Sequence, residues 1–192
     1  MLFISLNMHQ LINRIESTVK LDSEVLEKLN NYAKVETYLK NQHLLESGKR
    51  CNKIWFLKSG MVRKYHVHNG KEITIWIYTE KEIFTALQSF SQNTCANEYL
   101  QACENSEVIY ISKSNYEKLN QFPQFLFFSL SLIKRAFVNN DIRTRNLNKK
   151  DAKGKYEYLK AIAPEIIKRA KLGHIASMIG ITQETLSRIR KG

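Results

Sequence analysis

The sequence predicts an α+β fold: an N-terminal antiparallel β-roll with leading helices, one long connecting helix, and a C-terminal helix-turn-helix with little or no wing. Three observations predict it. Between Val35 and Ile111, short β-branched and aromatic runs alternate with turn signals. From Pro123 the chain continues to Gly154 without another glycine or proline, with apolar residues at helical steps. Residues 175–191 read as two short helices about a glycine.

The order of elements follows from local patterns. Between Met8 and Val35, Leu11, Ile12, Ile15, Val19, Leu21, Val25, Leu26 and Leu29 recur at helical spacing, and Asp22 or Ser23 starts a second helix. Strands are then expected at 54–57, 61–67, 72–78 and 107–111, separated by turns at Ser47-Gly48, Ser59-Gly60 and Asn69-Gly70. Asn-Gly suits the two positive-φ positions of a type I′ hairpin, so the strands flanking it should pair directly. Several short strands at this spacing favour a roll over βαβ units.

After Pro123, Leu126, Leu130, Ile133 and Phe137 form one apolar seam, and Phe125, Phe128, Leu132 and Ala136 form a second. One stripe can pack on the roll while the other pairs with a second copy of the chain. Lys149–Lys155 reads as a charged hinge. A helix from Tyr156 to Ala163 ends at Pro164, and a short helix through Ile166 and Ile167 follows. These boundaries divide the chain into 1–122, 123–150 and 151–192.

In the last segment, Ile175, Ala176 and Ile179 share a face, Gly180 supplies a left-handed turn, and Thr182 carries the hydroxyl that caps a new helix. Leu186 and Ile189 point back, leaving Gln183, Glu184, Ser187, Arg188 and Arg190 outward. Small Ala176 lets the helices cross closely.

Composition narrows the function. The net charge is +12, and residues 134–192 hold 15 Lys/Arg against 5 Asp/Glu. A basic excess beside a polar helix suits a polyanionic partner. Cys51, Cys95 and Cys103 have no metal-ligand spacing, so a reduced, cytoplasmic setting and no metal or cofactor are expected. No apolar run reaches membrane-spanning length, and Met1–Leu11 lacks the basic start and cleavage site of a signal peptide. Met8 is an alternative initiator to Met1. No nucleophile elbow, zincin motif or phosphate-binding loop points to an enzyme.

Three segments carry a resemblance: Trp55–Val62, Lys81–Phe90 and Ile179–Ile189. Together they resemble the Crp/Fnr family of bacterial transcription regulators, in which a cyclic-nucleotide-binding β-roll precedes a long helix and a helix-turn-helix. The resemblance implies a homodimer through helix 124–147, double-stranded DNA and RNA polymerase as partners, and a small-molecule effector of unnamed chemistry. It places the effector pocket at Phe84, Thr85, Ala86, Leu87, Phe90, Ala96 and Asn97. A cAMP-binding member has Gly-Glu and Arg-Ser where this chain has Thr85-Ala86 and Ala96-Asn97. The ribose acceptor and the phosphate-neutralising cation are both gone, so cAMP binding by that mode is not expected.

On the DNA side, the resemblance assigns base reading to Gln183, Glu184 and Arg188. Arg188 suits guanine O6 and N7, and Glu184 suits cytosine N4. Lys171, Thr182, Ser187, Arg190 and Lys191 are expected at phosphates. Two competing readings stand. Glu184 and Arg188 also have the spacing of an exposed i,i+4 salt bridge, and the roll could act as a ligand-binding module without sequence-specific DNA binding.

Overall fold

The computed structural model describes residues 8–191. The reading of Met1–Asn7 as an extension, and Gly192, lie outside the described residues. Two helices come first, α1 (His9–Glu16) and α2 (Ser23–Tyr32). Asp22 caps α2, its carboxylate accepting from Val25 N at 2.9 Å. Strand pairing starts at Ala33, two residues before the expected change of period, because residues 33–38 find a partner strand.

Eight strands lie among the described residues: β1 (Ala33–Tyr38), β2 (His43–Leu45), β3 (Lys53–Ser59), β4 (Val62–His68), β5 (Lys71–Tyr78), β6 (Ile83–Phe84), β7 (Tyr99–Ala102) and β8 (Ser106–Ser112). They form two antiparallel sheets, ordered β1-β8-β3-β6 and β2-β7-β4-β5. All four strand runs expected from sequence are present. Asn69 and Gly70 have φ of 50° and 74°, and His68 pairs with Lys71, so the hairpin forms as its sequence requires. Short helices α3 (Leu87–Gln92) and α4 (Lys113–Leu119) complete the roll.

Helix α5 spans Pro123–Lys149, with proline in its first turn, where no N–H partner is lost. Its two apolar stripes separate as expected. Phe125 and Phe128 are buried with Trp55, Leu57, Val108 and Ile109 of the roll, whereas Leu126, Leu130, Ile133 and Phe137 are exposed. Ala136, placed on the packed stripe, is also exposed because α5 has by then run past the roll core.

Helices α6 (Ala152–Ile162), α7 (Pro164–Arg169), α8 (Leu172–Ile179) and α9 (Gln183–Lys191) follow. The charged hinge is shorter than expected. Asp151 accepts from Gly154 N at 2.8 Å, so Ala152–Lys155 join α6 and the break narrows to Lys150-Asp151. The helices share a second core of Tyr156, Leu159, Ile166, Ile167, Ile175, Ala176, Met178, Ile179 and Leu186. Met61 and Ile77 of the roll complete that core, so the C-terminal helices are seated on the roll.

Candidate nucleic-acid interface and the roll interior

Helix α8 ends at Gly180, with φ +68° and ψ +43°. Ile181 N donates to Ala176 O at 3.0 Å, closing the helix end with a left-handed cap. Two residues on, Thr182 Oγ1 accepts from Thr185 N at 3.1 Å and starts α9. Leu186 of α9 is buried against α8, with Ile181 and Ile189 at the rim of the same core. These residues make residues 172–191 a helix-turn-helix with one buried and one exposed face.

The exposed face carries the expected reading residues. Gln183, Glu184, Arg188, Arg190, Lys191, Thr182 and Lys171 are exposed, and Ser187 is half-buried. Gln183 folds back over α8, where Gly173 leaves room: a Cβ there would lie 3.0 Å from Gln183 Oε1. The Glu184 carboxyl is held below the usual carboxylate range by its own backbone N–H, then by the Thr182 hydroxyl, with a weaker attraction to Arg188. Among the described residues, Glu184 and Arg188 form no ion pair. The spacing that suits a salt bridge is therefore not used for one, and both polar ends face outward. Arg188, Arg190 and Lys191 occupy the last turn of α9, where cations also oppose the helix dipole.

Sequence reasoning missed how this element is seated. Ser177, on α8, accepts at Oγ from Thr74 N at 3.0 Å and donates to Glu72 O at 3.2 Å. Strand β5 is the outer strand of its sheet, so a helix hydroxyl satisfies its open edge. One turn away, His174 faces Arg63 and Glu72 of the roll and Lys171 of its own segment. Burial, then Arg63 and Lys171, push its pKa down to about 4. At neutral pH the ring is uncharged. A lone Ser in an apolar helix was the only sequence signal for this contact.

The residues assigned to an effector pocket lie mostly in the core. Phe84 stacks between Trp55 and Tyr78, with ring centroids 5.8 and 4.7 Å away. The Thr85 hydroxyl donates to Lys53 O at 2.9 Å and lies 3.2 Å from Cys51 Sγ. Ala86 and Phe90 are buried, Phe90 edge-on to Tyr116. Ala96 is buried and bonded through its N–H to Lys49 O and through its carbonyl to Gly48 N, both at 2.8 Å. Leu87 and Asn97 are exposed. The structure thus brings Phe84, Thr85, Ala86 and Phe90 together through packing, with no charged side chain among them.

Lys64 shares a face of β4 with buried Val62, opposite buried Leu100 of β7, and so points into the roll. Its Nζ lies 3.3 Å from Glu98 Oε1, with the side chains only 17% and 19% exposed. Glu98 thus holds the one lysine on that face of β4. Among the described residues, no group of three His, Cys, Asp or Glu side chains is arranged for a metal ion. No helix among them is long and apolar enough to cross a membrane.

Comparison with known proteins agrees with this architecture. Residues 35–121 match the cyclic nucleotide-binding domain family. No curated protein matches the chain by sequence. Among solved structures, FixK2 from Bradyrhizobium japonicum superposes with a TM-score of 0.69 at 17% identity, covering 83% of each chain. A CooA variant from Carboxydothermus hydrogenoformans superposes at 0.65 and 21% identity, covering 97% of this chain and 84% of that one. A protein from Eubacterium rectale, assigned to the Crp/Fnr family of transcriptional regulators, superposes at 0.70 and 14% identity, covering 89% and 82%. Residues 35–121 therefore resemble the cyclic nucleotide-binding domain family, and the chain as a whole shares its fold with FixK2, CooA and the Crp/Fnr protein from Eubacterium rectale.

Proposed function

We propose that this chain is a dimeric, DNA-binding transcription regulator of the Crp/Fnr type, acting on RNA polymerase output from a two-fold operator. The observation that carries the reading is the outward face of α9, where Gln183, Glu184 and Arg188 are exposed on a capped helix and, among the described residues, Glu184 and Arg188 form no ion pair with each other. Gln183, Glu184 and Arg188 read bases; Lys171, Thr182, Ser187, Arg190 and Lys191 contact phosphates. The basic excess of the same segment supplies the attraction to the duplex. Segments 1–122, 123–150 and 151–192 then serve as sensor, pairing helix and reader.

The exposed stripe of α5 supports pairing with a second copy. Leu130 and Phe137 are 58% and 76% exposed, and Leu126 and Ile133 lie on the same line. Apolar residues at steps of four and three are those of a two-helix seam. A two-fold pair would present two reading helices, as a palindromic operator requires.

Selection of DNA sites from a random pool by the purified protein tests the reading directly. A two-fold consensus is expected. Arg188→Ala should then cost ~1–3 kcal/mol and relax preference at one base pair per half-site, while Lys191→Ala weakens all sequences alike. Equal loss on every sequence in Arg188→Ala would refute base reading. The roll is read as diverged from cAMP: Ala86 and Ala96 offer no polar side chain, and Lys64 is engaged by Glu98. Calorimetry with cAMP should show no micromolar binding, and a micromolar dissociation constant would overturn that reading.

A further inference from the structure

Three turns of the roll converge on one side chain from the C-terminal helices. Arg169, in the last turn of α7, donates from Nη1 to Glu80 Oε2 at 2.9 Å and from Nη2 to Glu80 Oε1 at 2.8 Å. Nη2 also donates to the Gly60 carbonyl at 3.1 Å and to Glu104. Gly60 lies in the β3–β4 turn, Glu80 in the β5–β6 turn and Glu104 in the β7–β8 turn. Glu80 Oε1 further accepts from Gly60 N at 3.1 Å. Two carboxylates and a carbonyl gathered in one place repel one another unless a planar, forked cation joins them. At the other end of the docking face, Ser177 holds α8 on the edge of β5. Between α5 and α6, by contrast, the chain link is only Lys150-Asp151.

We propose that Arg169 is a positioning residue for DNA reading: it sets the orientation in which the roll presents α8 and α9. The inference rests on the DNA-reading function proposed above. In a two-fold pair, the two reading helices must reach successive major grooves ~34 Å apart. Readers fixed on their rolls meet that spacing without further ordering. Readers that lose this clamp keep the Met61–Ile77 core and the Ser177 contact but are less constrained in orientation, and must be ordered further on binding, which weakens the two-site complex. A single half-site demands no such ordering. The positioning role therefore appears as a difference between full and half sites.

The test uses the full-length protein on its selected operator, on one half-site, and on operators with the half-site separation varied by single base pairs. Wild type should prefer one separation sharply. Arg169→Ala should lose at least ten-fold on the full operator, keep half-site affinity within about two-fold, and flatten the spacing profile. Arg169→Lys, which keeps the charge without the fork, should recover part of the loss. Glu80→Gln, which keeps the acceptor oxygen and loses its charge, should fall between wild type and Arg169→Ala, and serves alone if the alanine variant does not fold. A wild-type spacing profile in a folded Arg169→Ala variant would overturn the proposal, as would tighter operator binding or equal loss on full and half sites. A wild type with no sequence preference would overturn the DNA reading itself.

Discussion

The Ser59-Gly60 turn offers a measurement in which backbone strain and steric overlap separate. Gly60 has φ +98°, and a Cβ there would overlap Ser106 Oγ and lie 2.7 Å from both the Asn105 carbonyl oxygen and Ser106 Cα. Two of those three atoms are backbone, and the third, Ser106 Oγ, is itself bonded to Met61 N at 3.2 Å, so none can retreat freely. Gly48 has φ +85° with nothing within 4 Å of the corresponding position. Gly48→Ala therefore carries the positive-φ cost alone, ~1–2 kcal/mol. Gly60→Ala carries a similar cost plus ~1–3 kcal/mol of overpacking. Urea unfolding of both variants at one protein concentration, with unchanged m, reads the difference. The Gly60 variant should be the less stable by ~1–3 kcal/mol, and equal destabilisation would refute the reasoning. Because the Gly60 carbonyl accepts from Arg169, the same substitution should also broaden the spacing preference on DNA.

Other outcomes follow from the same contacts. Phe137→Asp places a charge on the exposed seam of α5 and should give a monomer by sedimentation; an unchanged dimer would refute the seam. Thr182→Ala removes the cap of α9 and should cost ~1 kcal/mol in thermal unfolding, and no loss would show the cap to be dispensable. His174 has its pKa lowered from 6.5 to about 4, by burial first and then by Arg63 and Lys171. The unfolded chain therefore binds a proton that the folded chain refuses across that interval, and stability should fall as pH drops from about 6.5 to about 4. His174→Gln should lose less stability than wild type over this range, and parallel pH profiles would refute the assignment.

What could be read from sequence was local. The Asn-Gly hairpin, the cap at Thr182, the left-handed Gly180 and the two stripes of α5 each rest on residues within a few positions of one another, and each formed. The short strands β1, β2, β6 and β7 were not legible. Two of them hold two or three residues, and the Ala33–Tyr38 pattern alternates weakly. The hinge was overestimated because a run of lysines outweighed the Asp151 cap. In the site, the outward face of α9 was legible from helical periodicity. Its seating was not, since Arg169 reaches Glu80 across 89 positions and Ser177 reaches Thr74 across 103. The effector region was assigned from the resemblance alone, and its periodicity gave no sign that Phe84, Ala86, Phe90 and Ala96 are buried in the roll core.

The hydroxyl of Ser177 on β5 has a consequence for the roll as an isolated unit. Removing the C-terminal helices would leave Thr74 N–H and Glu72 C=O unpaired on an outer strand and uncover the apolar Met61 and Ile77 beside it. An open strand edge with an apolar neighbour is a template for edge-to-edge association. The helices proposed to read DNA thus also act as the solubilising cover of the sheet beneath them, and a protease cut at Lys150 would release an aggregation-prone fragment.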